Sequence, residues 1–200
     1  MRKAVSTTLL LVGICIVLAG CGKMSPPSSY YVLTSTKAVQ TQMEPLHDIS
    51  VGVGPVTIPG HLDRSQIVTS TGQNSINIHE YQRWGDSFKT QIEETLAENL
   101  STLLQTPKVA VYPWERAQRP AYQVYVTVRR FEGKSGMDVT LDAIWQLVDI
   151  KTEKSLLTRH FVHTEPALGT QMSTYVQAQS DALEALSIDI AKGLHTVHTQ

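Results

Sequence analysis

Seven histidines, His47, His61, His79, His160, His163, His195 and His198, are the side chains best suited to proton transfer or metal binding. Two pairs have i, i+3 spacing. His160 and His163 fall in a segment that reads as a strand, where residues three apart face opposite sides and cannot share an ion. His195 and His198 fall in the closing turn of a helix and share a face. No acidic or cysteine ligand stands in that turn, and the helix dipole alone favours histidines there. No metal or cofactor is expected. Asp138 and Asp142, four apart on a strand, share a face and could form a carboxylate pair; a solvated strand face accounts for them equally well. Gly133-Lys134-Ser135 ends like a phosphate loop, but Val128 stands where the first glycine belongs. The segment joins two strands instead of opening a helix, so it reads as a hairpin turn. Gly52-x-Gly54 lacks the third glycine and the helix of a dinucleotide loop. Neither Gly-x-Ser-x-Gly nor His-Glu-x-x-His occurs. No catalytic residue is expected, although a convergent triad need leave no motif.

Arg83-Trp84-Gly85-Asp86 is the most concentrated polar and aromatic cluster. Its structural reading makes Asp86 the N-cap of a helix, Trp84 an anchor under the helix start and Arg83 the partner of an acid. Its functional reading is a recognition surface, because Trp and Arg dominate binding hot spots.

Cys21 carries a different chemistry. Ahead of it lie Arg2, Lys3 and an apolar run from Val5 to Leu18, the pattern of a secretory signal segment and too short for a convincing membrane span. The run ends in Leu18-Ala19-Gly20-Cys21, which resembles a bacterial lipobox. A lipobox implies cleavage before Cys21 and acylation of its thiol; an uncleaved anchor and a plain signal peptide are the alternatives. In lipoproteins of this kind an Asp after the cysteine retains the protein at the inner membrane, so Gly22 points to the outer one. Several acyl chains, at about 0.8 kcal/mol per buried methylene, make an anchor that stays in place.

The expected organisation is a signal peptide over 1–20, a lipidated cysteine with a Pro/Ser tether over 21–29, and one domain over 30–200. Of 17 basic residues Arg2 and Lys3 leave with the signal, so against 18 acidic residues the remainder carries a net charge of −3. That argues against nucleic acid as a partner. The two cysteines are Cys15 and Cys21, so the domain has neither disulfide nor thiol chemistry.

Tyr30-Tyr31-Val32-Leu33 reads as a first strand or edge piece, 37–47 as a loop, and Ile49–Ile58 as a buried strand running into a turn. Gln66–Ser70 and Ser75–His79 flank a hairpin turn. Phe88, Ile92, Leu96, Leu100, Leu103 and Leu104 form the apolar stripe of a helix stopped by Pro107. Lys108–Tyr112 is another strand. Strands from Tyr122, over Val139–Leu147 and around Leu157–Phe161 make a meander, and Ser173–His198 is a second amphipathic helix. Two helices and about seven strands predict an α/β sandwich with a mixed sheet and an antiparallel meander.

Lipobox Cys21, Tyr30-Tyr31-Val32-Leu33, the run Val51 to Pro59, Leu62-Asp63-Arg64, Arg83-Trp84-Gly85-Asp86 and Tyr112-Pro113-Trp114, taken in order, resemble the ABC-type transport auxiliary lipoprotein family. The resemblance implies a three-layer α/β/α sandwich of anticodon-binding-like type. It implies an outer-membrane lipoprotein facing the periplasm and working with a mammalian-cell-entry (MCE) type protein that spans the periplasm, together with its inner-membrane component, in lipid transport and envelope integrity. Self-association into a ring fits the same picture. The expected docking residues are Pro59, His61, Leu62, Asp63 and Arg64 in one loop and Arg83 and Trp84 at the corner. A periplasmic hydrolase and a purely structural envelope lipoprotein are the rival readings.

Overall fold

The computed structural model describes residues 25–35, 43–116 and 119–198. The signal segment, Cys21, Gly22 and part of the 37–47 loop lie outside them. Strands β1 (Ser29–Tyr31), β2 (Val51–Thr57), β3 (Gln66–Gly72) and β4 (Ser75–Trp84) precede helix α1 (Phe88–Leu104). Strands β5 (Val109–Val111), β6 (Tyr122–Glu132), β7 (Asp138–Asp149) and β8 (Lys154–Pro166) follow, and helix α2 (Met172–His198) closes the described chain. Two mixed sheets result: a five-stranded one in the order β5-β2-β6-β7-β8 and a three-stranded one in the order β1-β4-β3. The α/β class, the mixed sheet and the β6-β7-β8 meander are as the sequence predicts.

Strict alternation organises the large sheet. Val139, Leu141, Ala143, Trp145 and Leu147 of β7 are fully buried, while Thr140, Asp142, Ile144 and Gln146 between them are partly open to solvent. The buried face receives both helices, α1 over β2 and β5 and α2 over β7 and β8. The helices also touch each other, with Asn99 Nδ2 donating to Ser187 Oγ at 3.1 Å. They therefore share one layer instead of flanking the sheet, because only one face of the meander is apolar throughout.

Small residues let the layers close. A Cβ on Gly193 of α2 would meet the Trp145 ring at 2.4 Å, so the helix rests directly on the indole. Trp145 Nε1 donates to Asp189 Oδ2 at 2.8 Å, and Arg159 Nη1 donates to Asp189 Oδ1 at 3.0 Å, which ties α2 to two strands. Strand β2 is buried on both faces, since Trp114 and Pro120 cover Gly52 from the side away from the helices.

Helix α1 begins one residue later than the sequence suggests. β4 runs on to Trp84, Gly85-Asp86 makes the turn, and Ser87 is the N-cap, its Oγ accepting from Thr90 N. Asp86 instead accepts from Ser87 N at 2.6 Å and buttresses the cap. The helix ends where Gln105 takes the left-handed conformation (φ 53°) and Thr106 N donates to Ser101 O. Among the described residues no helix is long and apolar enough to cross a membrane.

Candidate functional site

The small sheet meets the rest of the molecule at one end, and the candidate residues gather there. Tyr175 of α2 is the pivot. Its buried hydroxyl donates to Val68 O of β3 and accepts from Gly133 N at the end of β6, both at 3.1 Å. Burial pushes its phenol well above the ordinary tyrosine range. Ser70 N donates to Gly133 O at 2.8 Å, so the two sheets are joined through backbone as well. Gly133 is forced to be glycine, because a Cβ there would overlap the backbone carbonyl of Asp138.

The loop 59–64 and the Arg83-Trp84 corner are neighbours in space. Trp84 N donates to Ser65 O at 2.8 Å, and Gln66 pairs with Arg83 across β3 and β4. Within this corner the residues divide. Trp84 is only 5% exposed and stacks on Phe88 at 4.4 Å, which in turn packs on Phe131. Leu62 is buried as well. Both hold the corner together from inside. Asp63 is exposed, and Pro59, His61, Arg64 and Arg83 are half-buried and reach the surface. Arg83 is braced by Glu80, to Oε1 at 3.2 Å and to the carbonyl at 3.1 Å.

His61 leads into an open, polar cleft of about 850 Å³ between the β3–β4 hairpin tip and the end of β6, lined also by Arg130, Glu132 and Lys134. Glu132 is the central charge: it lies 3.3 Å from Arg130 Nε and 3.5 Å from His61 Nε2, and accepts from Phe131 N at 3.2 Å. No spacing in the sequence joins His61 to Glu132. The contact exists because the loop folds over the end of β6, and only the charges clustered at Arg129, Arg130 and Glu132 hinted at a polar strand end.

The residues weighed for chemistry are held apart. Asp142 accepts from His160 Nε2 at 2.9 Å, whereas Asp138 accepts from Lys134 N at 3.4 Å, so the two carboxylates serve different partners. His163 bonds Glu165 at 2.8 Å. Gly133-Lys134-Ser135 is a turn between antiparallel strands, as expected. Among the described residues no three His, Cys, Asp or Glu side chains are grouped so as to hold a metal ion.

Residues 31–191 match the sequence model of the ABC-type transport auxiliary lipoprotein component. The intermembrane transport lipoprotein PqiC of Escherichia coli K12 is 28% identical over 130 residues, which cover 65% of this chain and 68% of PqiC; its Shigella flexneri counterpart matches to the same extent. Two crystal structures share the fold. A Xanthomonas campestris protein superposes with a TM-score of 0.71 at 17% identity, over 86% of this chain and 96% of that one. A second, uncharacterised protein gives a TM-score of 0.67 at 23% identity, over 84% and 99%. The matched segment takes in both sheets and both helices almost entirely, and on that extent the chain belongs to the ABC-type transport auxiliary lipoprotein component family.

Proposed function

We propose that this protein is a non-enzymatic docking component of an intermembrane lipid transport system, anchored in the outer membrane through Cys21 and facing the periplasm. The observation that carries the reading is the joint one of a family match over the folded domain, 31–191, and a lipobox cysteine ten residues ahead of it. The likeness to PqiC, an intermembrane transport lipoprotein, supports transport as the setting. In this reading the acyl chains hold the domain under the membrane, and its surface receives an MCE-type protein that arrives from the inner-membrane component. Self-association into a ring would let several copies surround the end of that partner.

The docking surface is assigned to Pro59, His61, Asp63, Arg64 and Arg83, the members of the corner that reach solvent. Leu62 and Trp84 support it from the core. Charged side chains on a rim contribute mainly to partner choice and association rate.

The test is a crosslinking pull-down from membranes with the wild-type protein, Cys21→Ala, and Asp63→Lys combined with Arg83→Glu. An MCE-type protein recovered with the wild type and reduced in both variants supports the reading. Recovery of peptidoglycan-associated proteins alone would replace it with a structural role in the envelope.

A further inference from the structure

The cleft between the β3–β4 hairpin tip and the end of β6 holds one charge more than its own contacts use. Its lining includes two cations, Arg130 and Lys134, and one carboxylate, Glu132. Glu132 is engaged by Arg130 Nε at 3.3 Å, by His61 Nε2 at 3.5 Å and by the Phe131 amide. Lys134 is exposed, and among the described residues its ammonium has no partner. Only its backbone N is engaged, donating to Asp138 Oδ1, and Asp138 does not line the cleft. With His61 neutral, Arg130 and Glu132 cancel and Lys134 leaves a single positive charge. A phosphodiester carries one negative charge and balances it, whereas a phosphomonoester close to its dianion overshoots. The tip adds neutral donors, the side-chain amides of Gln73 and Asn74. The hydroxyls of Thr71 and Ser75 share one hydrogen bond at 2.7 Å, which leaves one hydrogen to donate.

The path of the chain says which molecule brings that phosphate. β1 runs parallel to β4 with Ser29 beside Gln82, so the chain ahead of Ser29 enters from the side of the hairpin tip. From Gln82 back to Ser75 is seven residues, about 24 Å at about 3.4 Å each. From Ser29 back to Cys21 is eight residues, which span at most about 29 Å. An acylated Cys21 therefore reaches the level of the tip, and the bilayer that holds its chains lies at the cleft's end of the molecule. That end is also apolar beside the cleft. Met137 N donates to Lys134 O and Met137 O accepts from Ala167 N, both at 3.0 Å, which sets Met137 and Leu168, 52 and 77% exposed, next to the Lys134 turn. Cations bordered by exposed apolar side chains match a phosphate with acyl chains attached; a free anion uses the cations alone.

We propose that this cleft binds the phosphodiester headgroup of a phospholipid in the leaflet that anchors Cys21. Lys134 pairs with the phosphate, the hairpin tip donates to its remaining oxygens, and Met137 and Leu168 meet the glycerol and acyl region. This rests on the reading of Cys21 as a lipid anchor, and it gives the protein a lipid contact beyond its own acyl chains.

The test is native mass spectrometry of the full-length chain, purified in detergent and mixed with dioleoyl phosphatidylglycerol, dioleoylglycerol or inorganic phosphate. Lys134→Gln is the variant, since that side chain makes no ion pair within the fold, and Lys154→Gln, at the exposed start of β8, is the control. One phosphatidylglycerol per chain is expected, its retained fraction several-fold lower in Lys134→Gln and unchanged in Lys154→Gln. Equal retention by Lys134→Gln, or retention of dioleoylglycerol as strong as that of phosphatidylglycerol, overturns the headgroup site. Inorganic phosphate held in a Lys134-dependent way while phosphatidylglycerol is not makes the site one for a free anion and overturns the lipid assignment. The intact mass reports acylation of Cys21 separately: an unacylated chain that still retains phosphatidylglycerol overturns the anchor and leaves the cleft.

Discussion

The two sheets of this molecule are built to different standards. The five-stranded sheet lies under both helices and buries Trp145, Leu141, Leu147, Val124 and Val139 completely, with Gly193 letting α2 settle onto the Trp145 ring. The three-stranded sheet has no helix layer of its own. It is fastened to the body by the Tyr175 hydroxyl, the Ser70–Gly133 backbone bond and the stacked rings of Trp84 and Phe88, while most of β4 stays exposed. The difference separates the jobs: the large sheet supplies stability, and the small one supplies surface.

Substitutions scaled across the two regions put this contrast to the test. Trp145→Ala removes a fully buried indole and its bond to Asp189, and is expected to cost about 3–5 kcal/mol in urea unfolding. Gly133→Ala, at the junction, drives a methyl group into the Asp138 carbonyl and is expected to cost about 1–3 kcal/mol. Ile78→Ala, on the small sheet, should cost no more than about 1 kcal/mol, because the residue is 40% exposed and lies outside the buried core. Equal losses from Trp145→Ala and Ile78→Ala would dissolve the distinction.

Tyr175→Phe tests the fastening itself. It leaves Gly133 N and Val68 O without their buried partner, for an expected loss of about 1–3 kcal/mol. The pH dependence gives a second signature. Burial raises the phenol in the folded protein above its unfolded value near 10. The folded state thus holds the proton more tightly, so the contribution is fully present below about pH 10 and is lost as pH rises towards the folded value. Stability measured from pH 8 to 11 should fall beyond pH 10 in the wild type, and less so in Tyr175→Phe.

The body was more legible in the sequence than the site. Period-two alternation over Val139–Leu147 and the helical stripe from Phe88 to Leu104 each specify one buried face, and both appear as read. Their relative placement was not legible. That both helices share a layer depends on Gly193 and Asn99, whose meaning comes only from what they meet across the interface. The corner was legible in its structural reading: Trp84 anchors under the helix start, stacked on Phe88, and Arg83 pairs with an acid, Glu80, although the sequence did not say which acid. The Glu132–His61 contact joins residues 71 apart in sequence and left no pattern to find.

The smallest expected effect sharpens the comparison at its weaker end. His79 of β4 is half-buried and accepts or shares a hydrogen with Thr69 Oγ1 at 2.9 Å across the hairpin. Desolvation lowers its pKa below the usual 6.5, since the imidazolium is less well solvated there than in the unfolded chain. With the folded value depressed, the stabilisation is present above the unfolded value and is lost as pH falls through the folded one. Acidification below about pH 6.5 should therefore loosen the small sheet before the large one. Hydrogen exchange followed by mass spectrometry is the measurement: peptides spanning β3 and β4 should lose protection as pH is lowered, after correction for intrinsic exchange, while peptides of β7 hold theirs. His79→Gln keeps a polar partner for Thr69 without a titrating charge and should flatten the response in β3 and β4. If β7 loosened in step with β4, the two sheets would be one cooperative unit, and the small sheet could not adjust to a membrane or a partner independently of the body that supports it.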